Sequence, residues 1–284
     1  MNYDIESFND QIYSSYGRTN EKEARFLLHL HNHFEINLFI EGEMTFYIQG
    51  EFYKPIKGDL FLISNTQLHG PSILKESVYE RAIIHFPQKM ARQLQTPEVD
   101  LLYPFTDLSH ENNRIIHLTD TEITEFISLT KRLVELEQPE NKVYGKEILF
   151  KSYLAQILVL VNNAYNNNHK KELTEHSKTM SELSLNVIEY IQENLEISVS
   201  LDDIEAHLNI NKHYMNRVFK QELGTSIYQF IQLNKISLAK KLLESGMSAF
   251  DVCDHLDYNN YSTFARTFKK ITGISPTHYI KSVL

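Results

Sequence analysis

The chain has 284 residues, enough for two domains with separate cores. Its 28 Lys and Arg against 37 Asp and Glu give a formal charge of −9, which argues against loose polyanion binding but leaves room for a local basic face. The single cysteine, Cys253, excludes a disulfide framework and is expected to pack in a core; the first 25 residues are polar and no apolar run approaches membrane-spanning length, so a cytoplasmic location is expected.

Residues 1–24 read as an N-terminal arm. From Arg25 to Phe86 the chain shows short runs rich in Phe, Tyr and Ile, at 34–40, 43–49, 51–56, 58–64 and 79–86. Glu41-Gly42, Gly50-Glu51, Lys57-Gly58 and Gly70-Pro71 separate them. Closely spaced strands with glycine turns predict a small antiparallel barrel or jelly roll. A ligand enters such a barrel at its mouth, where Tyr47, Arg81 and His85 are candidate wall residues; a register slip of one residue reverses each side chain.

Two helices follow. Glu122–Leu136 carries Ile123, Phe126, Ile127, Leu129 and Val134 around one face, and Pro139 ends it. Lys146–Val161 is apolar over more of its circumference than one barrel surface can bury. Residues 163–184 are polar and Asn-rich after that apolar segment and read as an interdomain linker with a helical second half.

Beyond the linker the chain repeats itself. Residues 200–231 and 248–280 align position by position with one extra residue in the second copy: Ser200, Asp203, Ile204, His207 and Leu208 answer to Ser248, Asp251, Val252, His255 and Leu256. Each copy opens with Ser-x-x-Asp, a helix start in which the hydroxyl accepts a backbone N–H and the carboxylate sits at the positive end of the helix. Asn209-Ile210-Asn211 and Asp257-Tyr258-Asn259-Asn260 supply turn and capping residues, and Gly224 and Gly273 stop the second helix of each copy. Each copy is therefore a helix, a tight turn and a second helix.

In the second helices, Tyr214, Met215, Val218 and Phe219 are expected inward, as are Phe264 and Phe268. Lys212, His213, Asn216, Arg217 and Lys220, and then Asn260, Tyr261, Ser262, Thr263, Arg266, Lys269 and Lys270, form the outward face. Short polar side chains near a helix start with cations further along suit a major groove, the former at base edges and the latter at phosphates. Residues 227–243 read as one connecting helix of roughly 25 Å, able to hold two reading helices about one DNA turn, ~34 Å, apart. From Val199 onward ten Lys and Arg outnumber eight Asp and Glu, so the acidic excess lies elsewhere.

The stretch from Leu185 to the C-terminus resembles the DNA-binding domain of the AraC/XylS family of bacterial transcription regulators. The resemblance rests on Leu201, Ile204, Leu208, Tyr214, Phe219, Lys220, Gly224, Ala239, Leu242 and Leu243. It rests also on the denser signature Tyr258-x5-Phe264-x-Arg266-x-Phe268-Lys269-Lys270-x2-Gly273-x-Ser275-Pro276-x2-Tyr279. Glu205, Lys235 and Asp257 stand where the family usually has Ala, Arg and Gly. In the N-terminal half, His29-x-His31-x3-Glu35-x6-Gly42 and Gly58-Asp59-x9-His69 resemble the cupin double motif and the sensor domain of the same family, with Ser64 and Thr66 in place of the usual Pro and Gly.

The resemblance implies an α+β protein of two domains. A cupin-like β-barrel (jelly roll) followed by helices spans 25–162, and an all-α domain of two helix-turn-helix units joined by a long helix spans 185–284. It implies that His29, His31, Glu35 and His69 converge in the barrel, where an enzymatic cupin would hold a metal and a sensor uses such residues to contact a small ligand, with Tyr47, Arg81 and His85 nearby. No cofactor and no catalysis are expected. The implied function is a sequence-specific DNA-binding regulator, an activator working with RNA polymerase, controlled by a small molecule such as a sugar and dimeric through its apolar helix. Two other readings stay open: a metal-dependent cupin enzyme with a helical tail, and a ligand-independent DNA-binding protein whose barrel only dimerises.

Overall fold

The computed structural model describes residues 12–21, 25–26, 28–73, 77–107, 115–167, 181–197 and 199–283. Its N-terminal half is built on two antiparallel sheets. The first has the order β1 (Tyr13–Glu21), β8 (Ser77–Phe86), β3 (Phe34–Gly42), β6 (Asp59–Ile63) and β9 (Ile115–His117). The second has the order β2 (Arg25–Phe26), β7 (His69–Ile73), β4 (Thr45–Ile48) and β5 (Glu51–Tyr53).

Strand alternation divides the side chains between two cores. Phe34, Ile36 and Leu38 of β3 join Leu60, Leu62, Ala82, Ile84 and Phe86 in a core on the outer face of the first sheet. Phe39 of β3 instead joins Phe46, Ile48, Phe61, Ile63, Ile73 and Tyr79 between the sheets. Both faces of the central strands are thus covered, which is why these strands read as nearly continuous apolar runs. Register sets Glu35 of β3 opposite Ile63 of β6 and His85 of β8.

The arm expected at 1–24 is in part a strand: β1 pairs with β8 along its whole length, from Tyr13 opposite His85 to Glu21 opposite Ser77. Its sequence, YSSYGRTNE, is that of an edge strand with little apolar surface, so hydrophobic patterning passes over it. Residues 1–11 of that arm lie outside the described residues.

The helices α1 (Gln88–Leu94) and α2 (Tyr103–Thr106) precede the pair that covers the outer core, α3 (Asp120–Glu137) and α4 (Lys146–Asn167). Thr119 and Glu122 form the capping box that starts α3. Leu154, Ile157, Leu158 and Val161 of α4 are buried within the same chain, in the outer core and chiefly against α3, α1 and α2. The apolar circumference of α4 is therefore mostly used internally, leaving Ile148 at 73% exposure and Val159 at 46%. Residues 168–180, most of the expected linker, lie outside the described residues; α4 runs to Asn167, and α5 (Glu182–Glu193) begins on its Ser181 cap inside the expected linker boundary.

The C-terminal half is all helical. The first unit is α6 (Leu201–Leu208) and α7 (Lys212–Leu223), and the second is α9 (Ala249–His255) and α10 (Tyr261–Thr272). They are joined by α8 (Ile227–Glu244) and followed by α11 (Pro276–Val283). Ser200 and Ser248 cap the first helix of each unit by accepting from Asp203 N and Asp251 N. Asn209 and Asp257 answer one another in left-handed conformation, both at φ 53°, a position where Asp costs more than Gly. Gly224 and Gly273 cap α7 and α10 in the left-handed region.

Two of the departures from the family pattern, Glu205 and Lys235, make local hydrogen bonds. Glu205 accepts from Lys212 N at the start of α7, where a carboxylate meets the positive end of the helix dipole. Lys235 of α8, 5% exposed, donates to Leu256 O at 2.7 Å and so closes the end of α9. Cys253 is buried in the helical core, as expected for a packing residue.

The two halves are docked. Leu30, Tyr47, Phe52 and Leu68 from the strand half share one core with Phe230, Ile231 and Ile236 of α8 and the remaining helices.

Candidate functional site

Five of the seven side chains expected to face a ligand meet at one end of the sandwich. His29 and His69 lie on adjoining segments joined by backbone hydrogen bonds, His29 N to His69 O at 2.9 Å and His69 N to His29 O at 3.2 Å. Glu35 is 2% exposed. Its Oε2 lies 2.9 Å from His31 Nε2, 3.0 Å from His69 Nε2 and 3.0 Å from His85 Nε2. The second oxygen accepts from Asn37 Nδ2 at 3.0 Å. His29 stands beside them, its ring centroid 4.3 Å from that of His69. Phe46 stacks on Phe61 at 4.4 Å and lies 6.3 Å from His69, an aromatic layer beneath the cluster.

The electrostatics follow from burial and crowding. Burial acts to raise the Glu35 carboxyl, but His85 and His69, with the contacts from His31 and His69, outweigh it and hold the group well below the usual carboxylate range. Burial holds His31 well below the usual histidine range despite its contact with Glu35.

Tyr47 and Arg81 are not in this cluster. On β4 the inward positions are Phe46 and Ile48, so Tyr47 faces the other way and packs on Phe52 and on Phe230 of α8, with centroids at 5.0 and 6.1 Å. Here register decides, because one residue along a strand reverses the side chain. Arg81 lies opposite Phe39, toward the other end of the sandwich, with its guanidinium carbon 4.4 Å from the Tyr79 ring centroid.

Asn37 was not singled out from sequence. It is 3% exposed, and its Oδ1 has no hydrogen-bond partner, leaving a buried acceptor beside Glu35. Inward alternation from Glu35 along β3 is the signal that could have found it. Lys240 left no such signal. It is wholly buried on α8, and its Nζ donates to His31 O at 2.7 Å and to Asn65 O. Burial pushes its amine down to about 7, against the opposing influence of Glu244.

Lys240 is the centre of the docking surface. Ser237 Oγ donates to Thr66 O at 2.6 Å, and Asn65 Nδ2 donates to Glu244 Oε1 at 2.7 Å and to Tyr279 Oη at 3.0 Å. Asn32 Nδ2 donates to Thr272 O at 2.8 Å. The helix joining the two helix-turn-helix units is thus bonded to the backbone of His31, itself in the histidine cluster, and to the loop at 65–66 that leads into His69.

On the outer helices the expected nucleic-acid face is only partly free. His213, Arg217 and Lys220 on α7 are exposed, as are Ser262, Thr263, Arg266, Lys269 and Lys270 on α10. Four expected residues are committed to scaffold instead. Lys212 Nζ pairs with Asp202, and Asn216 Oδ1 accepts from Ile227 N at 2.9 Å, which caps the first turn of α8. Asn260 is the cap of α10, and Tyr261 stacks on exposed Phe250 at 4.3 Å. Conversely Tyr214, expected on the buried stripe, is 50% exposed with Arg217 over its ring at 5.4 Å. The stripe is instead Met215, Phe219 and Leu223, which are all fully buried.

Comparison with known proteins agrees with this two-part geometry. Residues 12–147 match the model of the AraC-like ligand binding domain, and residues 204–282 match that of a helix-turn-helix domain. The chain is 35% identical over 98 residues to the uncharacterized HTH-type transcriptional regulator YtdP of Bacillus subtilis, a match covering 34% of the chain and 13% of that protein. It is 27% identical over 255 residues to YfiF of the same organism, another uncharacterized HTH-type transcriptional regulator, covering 88% of the chain and 77% of YfiF. With the HTH-type transcriptional activator AarP of Providencia stuartii it shares 29% identity over 106 residues, 37% of the chain and 78% of AarP. The chain belongs to the AraC family of transcription regulators.

It is a transcription regulator in which a ligand-binding domain is joined to a DNA-binding helix-turn-helix domain. Among the described residues no helix is long and apolar enough to cross a membrane.

Proposed function

We propose that this regulator is an activator whose DNA affinity is set by a small polar molecule, of the sugar class, bound at His29, His31, Glu35, Asn37, His69 and His85. The domain division that goes with this reading is a sensing part up to the end of α4 and a DNA-binding part from Ser181 onward. His213, Arg217 and Lys220 are the proposed DNA contacts of the first unit. Ser262, Thr263, Arg266, Lys269 and Lys270 are those of the second, the small hydroxyls at base edges and the cations at phosphates. The cytoplasm is the proposed location and RNA polymerase the proposed partner at the promoter. A homodimer formed through the exposed end of α4 near Ile148 is the proposed assembly.

The observation that carries the reading is the bond from Lys240 of α8 to the carbonyl of His31. The ligand cluster and the helix holding both DNA-reading units share a backbone contact, so a ligand that binds better to one arrangement of the cluster also biases α8. The unpartnered Asn37 Oδ1 supports a ligand that donates a hydroxyl hydrogen. The similarity to AarP, named as an activator, supports the sign of regulation.

The test is a thermal-shift screen of the full chain against sugars and related polyols, followed by a footprint on the promoter of the adjacent operon with and without each hit. A hit that raises the melting temperature and alters the footprint supports the reading. A footprint unchanged by every molecule that binds supports a ligand-independent DNA-binding protein instead.

A further inference from the structure

The two helix-turn-helix units fasten their helices together by different chemistry at equivalent positions. In the first unit Asp202 of α6 pairs with Lys212, the first residue of α7. The repeat places Phe250 of α9 at the position of Asp202, and Tyr261, the first residue of α10, at that of Lys212. There the two rings stack, with centroids 4.3 Å apart and planes at 17°. The ion pair joins helix to helix without an exposed ring, so the fold of a unit does not require the aromatic pair. Yet Phe250 is 67% exposed, the one phenylalanine among the described residues left largely in solvent.

That ring is firmly held. Phe268 packs on Phe264 at 5.8 Å, Phe264 on Tyr261 at 6.1 Å, and Tyr261 on Phe250, a ladder that starts in the helical core and ends at the surface. At the matching positions the first unit has Phe219, Met215, Lys212 and Asp202, so only the innermost ring is shared. An aromatic anchor fixed before binding loses little freedom when it docks.

The surroundings of Phe250 indicate its partner. Tyr261 begins α10, and the N-terminal residues of a reading helix lie nearest the base edges. The exposed side chains that follow are Ser262, Thr263, Arg266, Lys269 and Lys270, and the helix contains no acid. Asp251, beside Phe250, accepts from Ser248 Oγ at 2.6 Å. The apolar group that a major groove offers is the C5-methyl of thymine. We propose that Phe250, positioned by Tyr261, packs on a thymine methyl at the edge of the second half-site. The second unit then demands a thymine there, and the first unit makes no such demand at its equivalent position. The inference rests on the reading of α10 as a groove-entering helix and adds to it a base contact from the scaffold helix α9.

The full chain is used to select its operator from a random duplex library. Each thymine of that operator is then replaced in turn by uracil, which removes the methyl and keeps every hydrogen-bonding group. For the wild type one thymine is expected to stand out, uracil there weakening binding by about 3- to 5-fold, the worth of one buried methyl. The double variant Phe250→Asp with Tyr261→Lys installs the ion pair of the first unit and keeps the two helices fastened. It is expected to bind the thymine and uracil duplexes equally, whereas Tyr261→Phe keeps the stack and the preference. Each value is a ratio of two duplexes on one protein, so changes in overall stability or charge cancel. Equal binding of thymine and uracil by the wild type at every position overturns the proposal, as does a preference that survives in the double variant. Lys270→Ala tests the reading beneath it. If that substitution leaves DNA affinity unchanged, α10 does not lie in a groove; if it weakens all duplexes alike while no thymine stands out, only the contact of Phe250 fails.

Discussion

Replacing Lys240 by methionine keeps the length of the buried side chain and removes the amine that joins the two halves. The carbonyls of His31 and Asn65 then lose their donor in a position closed to water. Each buried acceptor left without a donor costs about 1–2 kcal/mol, so the docked arrangement loses on the order of 2–4 kcal/mol. Relief from burying the ammonium offsets part of this, because burial already pushes the amine down to about 7. The net loss is on the order of 1–3 kcal/mol, a shift of roughly 5–150-fold in the ratio of docked to undocked molecules.

Two readouts follow from that shift. In calorimetry the wild type is expected to melt as one cooperative unit, whereas Lys240→Met separates into a strand-half and a helix-half transition. In hydrogen exchange the protection of the backbone amides of α8 falls in the variant. Lys241→Met is the control, since Lys241 is exposed on the next position of the same helix. If Lys240→Met melted as a single unit at the wild-type temperature with α8 protection unchanged, the reasoning from the buried amine would fail.

Asn216→Ala is expected to lower stability by about 0.5–2 kcal/mol, as loss of a helix cap does, and to leave base preference unchanged once DNA affinity is corrected for the folded fraction. Lys270→Ala is expected instead to weaken binding to all sequences alike and to reduce the salt slope by about one unit, measured by titration at several salt concentrations. Glu137 gives a pH test. Burial pushes its carboxyl up to about 7, against hydrogen bonds from Ser14 N and Oγ, both at 2.7 Å. Between its ordinary value of 4.5 and about 7 the folded chain keeps a proton that the unfolded chain has released, so stability is greatest at the acid end and falls as pH rises through that window. For a partly exposed group the fall is about 1–2 kcal/mol, and Glu137→Gln is expected to abolish it in denaturant titrations at pH 5 and 8. Ile148→Asp is expected to abolish dimer formation in light scattering while leaving the melting temperature of the monomer within about 2 °C, since the side chain is 73% exposed.

The features legible in the sequence are the ones fixed locally. Ser200, Ser248, Asn209, Asp257, Gly224 and Gly273 each determine the conformation of a few adjacent residues, and the structure places caps and left-handed turns at those positions. The connecting helix, read as 227–243, is α8 at Ile227–Glu244. The resemblance to the cupin double motif singled out His29, His31, Glu35 and His69, and the pairing of β3 with β8 adds His85 by setting it opposite Glu35.

What escaped the sequence was determined at long range. β1 is an edge strand whose residues pair along β8, 56 to 72 positions away along the chain. Asn216 reads as an exposed helix residue until the start of α8 returns to it. Lys240 reads as a solvated cation on an amphipathic helix, and only the folded chain brings it to a carbonyl 209 residues away. Nothing in a window of 18 residues distinguishes a lysine that will meet water from one that will close an interface.

The coupling between barrel and α8 is tested most directly by measuring the distance between spin labels at Ser152 on α4 and Thr277 on α11, both exposed. The full chain is measured without ligand and with the molecule selected by the thermal screen, and its affinity for the footprinted promoter is measured in parallel. The ligand is expected to change the distance distribution and the DNA affinity together in the wild type, and to change neither in Lys240→Met. Saturating ligand that altered DNA affinity equally in both proteins, with the distance unchanged, would contradict a signal carried from the histidine cluster through α8.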